Sequence, residues 1–129
     1  MTTIKLETKQ STMQTEAYWE NLVKRSLCRF LLLAQLAKGP VLGYGITQAI
    51  KEACQGCCEP TEAMVYSTMK ELQDGGYVDC RMEVHQGRQR RVCWSTTSGE
   101  EAFRAAARAR QRMIPTVEDG IEQALPQGR

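Results

Sequence analysis

The pattern of apolar and polar positions changes twice along this chain, and each change marks a different kind of structure. Residues 1–14 are polar with little periodicity, and we interpret them as a flexible N-terminal arm. Apolar residues then recur at helical spacing as far as the glycine pair Gly75-Gly76. Three helices are predicted in this part, at about residues 15–36, about 43–53 and 60–73.

The apolar period becomes two after the glycine pair, which predicts β-structure. Residues 77–84 and 88–95 are expected to form a hairpin around the turn sequence His85-Gln86-Gly87. If the turn centres on Gln86-Gly87, Cys80 and Cys93 face each other across the two strands. Such a pair could bind a metal, form an oxidisable pair, or simply pack as two small apolar residues.

An alanine- and arginine-rich segment follows the hairpin and has helical composition. The helix is predicted to begin near Thr97-Ser98-Gly99-Glu100, with Thr97 or Ser98 as its N-cap, and to run to about Ile114. Pro115 is expected to break it, because proline lacks the N–H that a helix interior needs. Residues 116–125 would then form one more short helix, followed by a tail at 126–129.

Charge and cysteine content narrow the class of protein. The net charge is only +2, but residues 81–112 carry eight arginines against three glutamates, a local excess of positive charge that suits phosphate. No secretory signal or bilayer-length apolar run is apparent, so we expect a cytoplasmic protein that does not contact membrane. In a reducing compartment, six cysteines indicate metal binding, redox sensing or burial rather than a disulfide scaffold.

Three helices followed by a hairpin with basic residues at its tip is the element order of a winged helix-turn-helix. The predicted fold is therefore mostly α with a two-stranded β-hairpin, in which the third helix enters the DNA major groove and the hairpin reaches flanking phosphates. The residues in position to contact DNA are Tyr44, Thr61, Glu62, Tyr66, Ser67, Lys70, His85, Arg88, Arg90 and Arg91. Tyr66, Lys70, Arg88 and Arg90 are the strongest of these, and strand alternation puts Arg88 and Arg90 on one side and Arg91 on the other.

Several short motifs together resemble the PadR family of transcriptional regulators. They are Gly43-Tyr44-Gly45-Ile46, Val65-Tyr66-Ser67-Thr68-Met69 with Leu72, Gly76-Tyr77-Val78, Gly87-Arg88, and the Thr-Thr-Ser-Gly sequence that ends at Gly99. Each motif is weak alone, but their combined spacing over about residues 31–113 is fairly specific. Met69 stands where the family usually has leucine, which is a mild change in the core.

The resemblance implies a homodimer that represses transcription by binding a palindromic DNA operator. It implies a winged-helix domain at 15–96 and dimerisation through helices at 97–125, together with part of the first helix. Tyr66 matches the family tyrosine that faces DNA. Family members can also bind flat aromatic compounds between subunits, so an aromatic ligand at the dimer interface is an alternative signal, with Trp19 and Trp94 as packing residues that could lie there.

A cluster of three cysteines, Cys54, Cys57 and Cys58, directly precedes the predicted reading helix and is not a general feature of the family. Three soft thiolates on a short link suit arsenic(III), while cadmium or zinc would need a fourth ligand such as Glu59 or His85. The alternatives are a redox switch and simple packing, which is also the expected role of Cys28. We predict that a thiophilic ion or oxidant acts here as an effector, with no cofactor required for DNA binding itself.

Catalysis is poorly supported by the residues. The chain has one histidine, and it shows no glycine-rich phosphate loop and no paired-carboxylate motif. The best enzymatic alternative is a thiol–disulfide enzyme, because Cys54 and Cys57 have the Cys-x-x-Cys spacing. That motif lacks the β-α-β context which would place it at a helix N-terminus. We therefore expect a DNA-binding regulator and not an enzyme.

Overall fold

The computed structural model describes residues 13–54 and 60–127. The elements in these ranges are α1 (Glu16–Leu36), β1 (Val41–Leu42), a short 3-10 turn (Gly43–Gly45), α2 (Ile46–Cys54), α3 (Glu62–Asp74), β2 (Val78–His85), β3 (Arg88–Ser95) and α4 (Thr97–Ala124). This order confirms the predicted winged helix-turn-helix. The hairpin of β2 and β3 is the wing, and α4 follows it. No helix in the described ranges is long and apolar enough to span a bilayer.

The hydrophobic core forms where the second half of α1 is enclosed by the other elements. Cys28, Leu32, Leu33 and Leu36 on α1 are buried, as the apolar run at this end of the helix predicts. They pack with buried side chains from α2, α3 and the sheet, which are Ile46, Ile50, Val65, Met69, Leu72, Val78 and Cys93. The core therefore holds α2 and α3 in fixed positions against α1.

The predicted hairpin is present, and its register is the one expected for a turn at Gln86-Gly87. His85 pairs with Arg88 at the tip, and Cys80 pairs with Cys93 near the base. Gln86 and Gly87 have φ angles of 52° and 77°, so the two-residue turn has both central residues in the left-handed region that tight hairpins favour. Glycine at the second position adopts this conformation without strain.

The sheet has one strand more than the sequence predicted. β1 pairs antiparallel with β3, with Val41 opposite Cys93, so β3 is central and the strand order is β1-β3-β2. Two residues are too few to show an alternating pattern, which is why β1 was missed. Because β3 is enclosed on both edges, its side chains near the base of the hairpin are held in the core.

The predicted break at Pro115 is wrong, because α4 is one continuous helix from Thr97 to Ala124 with Pro115 inside it. Proline removes one main-chain hydrogen bond to the preceding turn, but the hydrogen bonds on either side can carry the helix through. Residues 97–125 are thus a single long helix with one flanking residue, rather than two helices.

The expected cap of α4 is also corrected. The cap is Thr96, whose hydroxyl oxygen accepts a hydrogen bond from the Gly99 amide at 3.1 Å and donates to the Gly76 carbonyl at 2.7 Å. Thr97 and Ser98 lie inside the first turn. A Cβ added at Gly99 would lie 2.1 Å from the Tyr77 carbonyl oxygen, so α4 begins in close contact with the start of β2.

Candidate nucleic-acid interface

Helix α3 has one face buried in the core and the opposite face open. Val65, Thr68, Met69 and Leu72 are buried, as predicted for all of them except Thr68. On the other side, Tyr66 keeps 70% of its surface exposed. Ala63, Ser67 and Lys70 share this open side, so α3 presents short and long polar side chains outward from a rigidly packed base.

Thr61 has a local structural task. Its side-chain oxygen accepts a hydrogen bond from the Met64 amide at 3.1 Å and so caps the N-terminus of α3. This use of the oxygen sets the start of the helix and the direction in which its open face points. Thr61 therefore lies beside the candidate interface while its acceptor is engaged within the chain.

A groove runs between α3, the 3-10 turn and β3, and it collects half of the predicted DNA-contacting residues. Its volume is about 710 Å³, and it is lined by Tyr44, Glu62, Tyr66, Lys70 and Arg91, with Cys93 at its floor. Tyr44 is 77% exposed. Two exposed tyrosines with a lysine and an arginine form a surface that can stack on, and hydrogen-bond to, a polyanion.

The three arginines of the wing that were predicted to contact DNA, Arg88, Arg90 and Arg91, are divided between its two faces, as strand alternation predicts. Arg91 points toward α3, where its Nη2 donates a hydrogen bond to Gln73 Oε1. Its aliphatic stem lies against Gly43, since a Cβ built there would be 3.5 Å from Arg91 Cβ. Arg91 thus joins the wing to α3.

Gln73 was not among the residues singled out from the sequence. A signal for it was present, because it lies three residues after Lys70 and seven after Tyr66 and so shares their side of α3. The sequence pattern does not show that this side of α3 lies within hydrogen-bonding distance of Arg91 on β3.

The outer face of the wing carries the other predicted basic residues. His85 and Arg88 are exposed and pair across the tip. Arg90 is half-buried opposite Glu83, and its Nε has no hydrogen-bond partner within the described residues. Glu83 itself accepts from Arg81 at 2.8 Å, so Arg88 is the most available charge at the tip.

Two ion pairs involve charged side chains of α3. Lys70 Nζ lies 3.2 Å from Asp74 Oδ2, one helical turn away. Arg29 on α1 binds the Glu71 carboxylate with two nitrogens, one of them Nη2 at 2.7 Å from Oε2. This hydrogen bond from Arg29, with its positive charge, lowers the pKa of the Glu71 carboxyl and ties α3 to α1 from outside the core.

The predicted cysteine cluster falls only partly within the described residues. Cys54 is half-buried at the end of α2 and packs against the core, while Cys57, Cys58 and Glu59 lie outside the described residues. His85 is at the far tip of the wing. Within residues 13–54 and 60–127, no three His, Cys, Asp or Glu side chains are grouped so that they could hold a metal ion.

The remaining cysteines have clear positions. Cys80 and Cys93 are joined by a disulfide across the hairpin, which decides between the alternatives left open for this pair. Cys28 is buried, as expected for a core residue, and burial raises the pKa of its thiol despite a hydrogen bond with Thr68. A thiol in that state is a poor nucleophile.

The fold and the open face of α3 together define a winged helix-turn-helix transcriptional regulator. Residues 32–105, more than half of the chain, match the transcriptional regulator PadR-like family. The chain belongs to this family, which confirms the resemblance seen in its motifs.

Solved structures of similar proteins agree with this assignment. The protein smu.1704 from Streptococcus mutans is 28% identical, with a TM-score of 0.65 over 76% of this chain and 89% of that one. A transcriptional regulator from Clostridium thermocellum is 18% identical, with a TM-score of 0.68 over 75% of this chain and 92% of that one.

Bacillus subtilis PadR was solved in complex with operator DNA. It is 24% identical to this chain, with a TM-score of 0.54 over 60% of this chain and 44% of that longer one. At this identity the likeness concerns the fold. No curated protein sequence gives a significant match.

Proposed function

We propose that this protein is a homodimeric transcriptional repressor that binds a palindromic DNA operator. In each half-site, α3 enters the major groove through Tyr66, Ser67 and Lys70, while the wing places His85 and Arg88 on flanking phosphates. The observation that carries the proposal is the geometry of α3, whose buried face locks it to the core while Tyr66 stays 70% exposed beside a basic wing. Binding of operator DNA by the similarly folded Bacillus subtilis PadR supports the same use of the fold here.

The test starts from duplex DNA selected by the purified protein from a random-sequence library, since the operator sequence is unknown. Recovery of an inverted repeat, with affinity that falls steeply as salt rises, is the expected result. Tyr66→Ala should weaken binding about tenfold through lost contact with bases. Arg88→Ala should weaken binding to all sequences alike and reduce the salt slope by about one.

Arg108→Ala is the matched control, because Arg108 is an exposed arginine on α4 and its loss changes the net charge by the same amount. It should leave affinity within about twofold, since a distant charge is screened. If no sequence is enriched, or if Tyr66→Ala and Arg108→Ala bind alike, α3 does not read DNA in this protein.

Dimerisation is supported by apolar side chains that nothing covers in the single chain. Met113, Ile114, Val117 and Ile121 recur on one side of α4 and are each more than half exposed. Trp19, Leu22 and Val23 form a second exposed apolar group on α1. Exposed patches of this kind on helices are normally buried in an interface, and a second copy of the chain brings both groups to a two-fold contact.

A thiol-reactive signal at Cys54, Cys57 and Cys58 is the second part of the proposal. Cys54 ends α2, and Cys57 and Cys58 lie in the sequence between α2 and α3, the two helices of the helix-turn-helix. An ion bound there, or an oxidised thiol, would shift α3 relative to its core and change the spacing of the two half-sites. Arsenic(III) suits three thiolates, and cadmium or zinc would need a fourth ligand as well. Peroxide would act by oxidising a thiol.

To test this signal, the protein bound to the selected duplex is titrated with each effector. Release of the duplex is measured by its fluorescence anisotropy. Thiolate-to-metal absorbance measured alongside should rise with the same midpoint. The Cys57→Ser/Cys58→Ser protein should bind DNA normally and no longer be released. Normal release of that variant would place the signal elsewhere.

The alternative signal is a flat aromatic molecule between the subunits, with the cysteines serving only to pack. Trp19 favours it, because this indole is half exposed on the same face as Leu22 and Val23. A planar aromatic compound that quenches tryptophan fluorescence and releases the DNA would support the alternative. The quenching should be abolished by Trp19→Leu. A thiol–disulfide enzyme is not favoured by membership of a family of transcriptional regulators.

A further inference from the structure

The disulfide between Cys80 and Cys93 lies at the base of the wing, on the face that looks toward α3. Their Cα atoms are 4.0 Å apart. The Cys80 amide donates to the Asp79 carboxylate at 3.1 Å rather than across to β3. This is the narrow, non-hydrogen-bonded kind of antiparallel pair, in which facing side chains come closest. The position therefore brings two cysteines into bonding reach whenever the hairpin forms.

The two cysteines differ in their exposure to solvent. Cys93 is on the central strand β3, is 0% exposed and forms part of the floor of the groove beside α3. Cys80 is half-buried on β2, which is an edge strand of the described sheet. Cys80 is therefore the more accessible residue of the pair, and its Sγ is the atom that a small thiol would attack.

The part of the wing beyond the disulfide has little else to hold it. Met82 and Val84 continue the inner face of β2 but are 58% and 71% exposed, so they add little packing. The remaining support is the strand ladder, which includes the pairing of Val92 with Leu42 on β1, and the turn at Gln86-Gly87. Arg91 adds the contact of its stem with Gly43 and its hydrogen bond to Gln73. Two-stranded hairpins without further packing are only marginally stable in water. The disulfide closes residues 80–93 into a covalent ring that contains every predicted DNA contact of the wing.

We infer that Cys80–Cys93 is a thiol–disulfide exchange site for small thiols, and that its oxidation state sets how well the wing is ordered for DNA. Only the predicted effect on DNA affinity rests on the proposed function; the exchange site itself does not. Oxidised protein holds the wing closed and binds duplex more tightly. Reduced protein has a wing that frays beyond Cys80 and binds more weakly.

The chemistry is balanced with a monothiol such as glutathione as the reductant. Its thiolate attacks Cys80 Sγ, the bond to Cys93 breaks, and the electron pair leaves with Cys93 Sγ, which takes a proton. A second thiolate attacks the glutathione sulfur of the mixed disulfide and releases Cys80, which is also protonated. Two glutathiones become one glutathione disulfide, and the protein disulfide becomes two thiols. The reverse sequence restores the ring.

The first measurement does not involve DNA. The full-length protein is equilibrated in buffers of reduced and oxidised glutathione, and the state of Cys80 and Cys93 is read by alkylation and peptide mass spectrometry. Hydrogen exchange of residues 81–92 is followed in parallel. These amides should exchange at least about tenfold faster in the reduced protein, while those of α3 change little. Equal exchange in both states, or a disulfide that does not respond to glutathione, would overturn the inference.

The second measurement uses the selected duplex and Cys54→Ser/Cys57→Ser/Cys58→Ser protein, so that the link thiols cannot respond. Oxidised protein should bind about tenfold more tightly than reduced protein, which is the loss expected for one charge-assisted hydrogen bond to phosphate. In Cys80→Ala/Cys93→Ala protein, this dependence on glutathione should vanish. Equal affinity in both states would contradict the effect on DNA. If no duplex is selected at all, the proposed function fails, while the hydrogen-exchange and glutathione measurement still decides the redox site. If the Cys54→Ser/Cys57→Ser/Cys58→Ser protein does not fold, wild-type protein is compared in the same way with the Cys80→Ala/Cys93→Ala control.

Discussion

At the scale of single residues, several contacts that fix the helices and strands against each other are made by glycine or by polar side chains. The partner of each lies far away in the sequence. Gly99 allows α4 to approach β2, Thr96 joins the cap of α4 to the Gly76 carbonyl, and Gln73 receives Arg91 from the wing. None of these partners is adjacent in sequence. Their residue types restrict what can be substituted, although the sequence pattern does not name the partner.

Gly99→Ala should destabilise the protein by about 1–3 kcal/mol, because its Cβ would lie 2.1 Å from the Tyr77 carbonyl oxygen and the backbone must move. Gly120→Ala is the matched control on the same helix, since nothing lies within 4 Å of its Cβ position. It should stabilise by up to about 1 kcal/mol through helix propensity. Urea unfolding of both variants gives the two values, and a loss of stability in both would show that the close approach at Gly99 is not the cause.

The Arg29–Glu71 pair should make stability depend on acid. The pKa of Glu71 is lower in the folded protein than in the unfolded chain, so its stabilising effect is complete above the unfolded pKa of about 4.3 and is lost as pH falls through the folded value. Both side chains are more than half exposed, so the effect should be small and reduced by salt. Glu71→Gln should lower Tm slightly at pH 7 and not at pH 3. In an Arg29→Gln background the same change should have no effect at either pH.

At the scale of elements, the described helices and strands largely follow their local patterns, and the exceptions have physical causes. α3 has the predicted buried and open faces because apolar side chains recur on one side of it. β1 is too short to show a period, and α4 continues through Pro115 because one lost hydrogen bond is a limited defect in a helix of 28 residues. The wing keeps its register because Gln86-Gly87 suits only one tight turn.

Pro115→Ala should stabilise the protein, because it restores a hydrogen bond and removes a ring from the interior of α4. The gain should be about 1–3 kcal/mol if the helix is equally straight in both proteins. Thermal unfolding at fixed protein concentration and far-ultraviolet circular dichroism measure the gain and the helix content. A fall in Tm would mean that Pro115 itself is needed where α4 meets another chain in the proposed dimer.

At the scale of the whole molecule, the single chain leaves two apolar surfaces open, and the proposed dimer rests on these surfaces. The C-terminal half of α4 and the N-terminal half of α1 extend away from the core that the second half of α1 organises. A chain of this size gains proportionally more from burying such surfaces than a large one does. The distance between two reading helices in a dimer would then be set by α4 and not by the DNA-binding domain.

Ile121→Glu should convert the proposed dimer into monomers, since it places a charge within the apolar stripe of Met113, Ile114, Val117 and Ile121. Gln123→Glu adds the same charge on the opposite side of α4 and should leave the dimer intact. Analytical ultracentrifugation over a range of concentrations separates the two outcomes, and affinity for the selected inverted repeat should fall at least about a hundredfold only in the monomer. A dimer that persists in Ile121→Glu would place the interface on another surface.

The sequence by itself determined the order of the first three helices and the hairpin, the buried and open faces of α3, the hairpin register and the family, because periodicity, turn chemistry and motif spacing are local properties. The facing of Cys80 and Cys93 followed from that register alone. Only the tertiary structure decided that these sulfurs are bonded, that Arg91 meets Gln73, that Thr96 caps α4, and that α4 passes through Pro115. Each of these depends on distances between residues far apart in the chain or on the balance of many hydrogen bonds, which a local pattern does not contain.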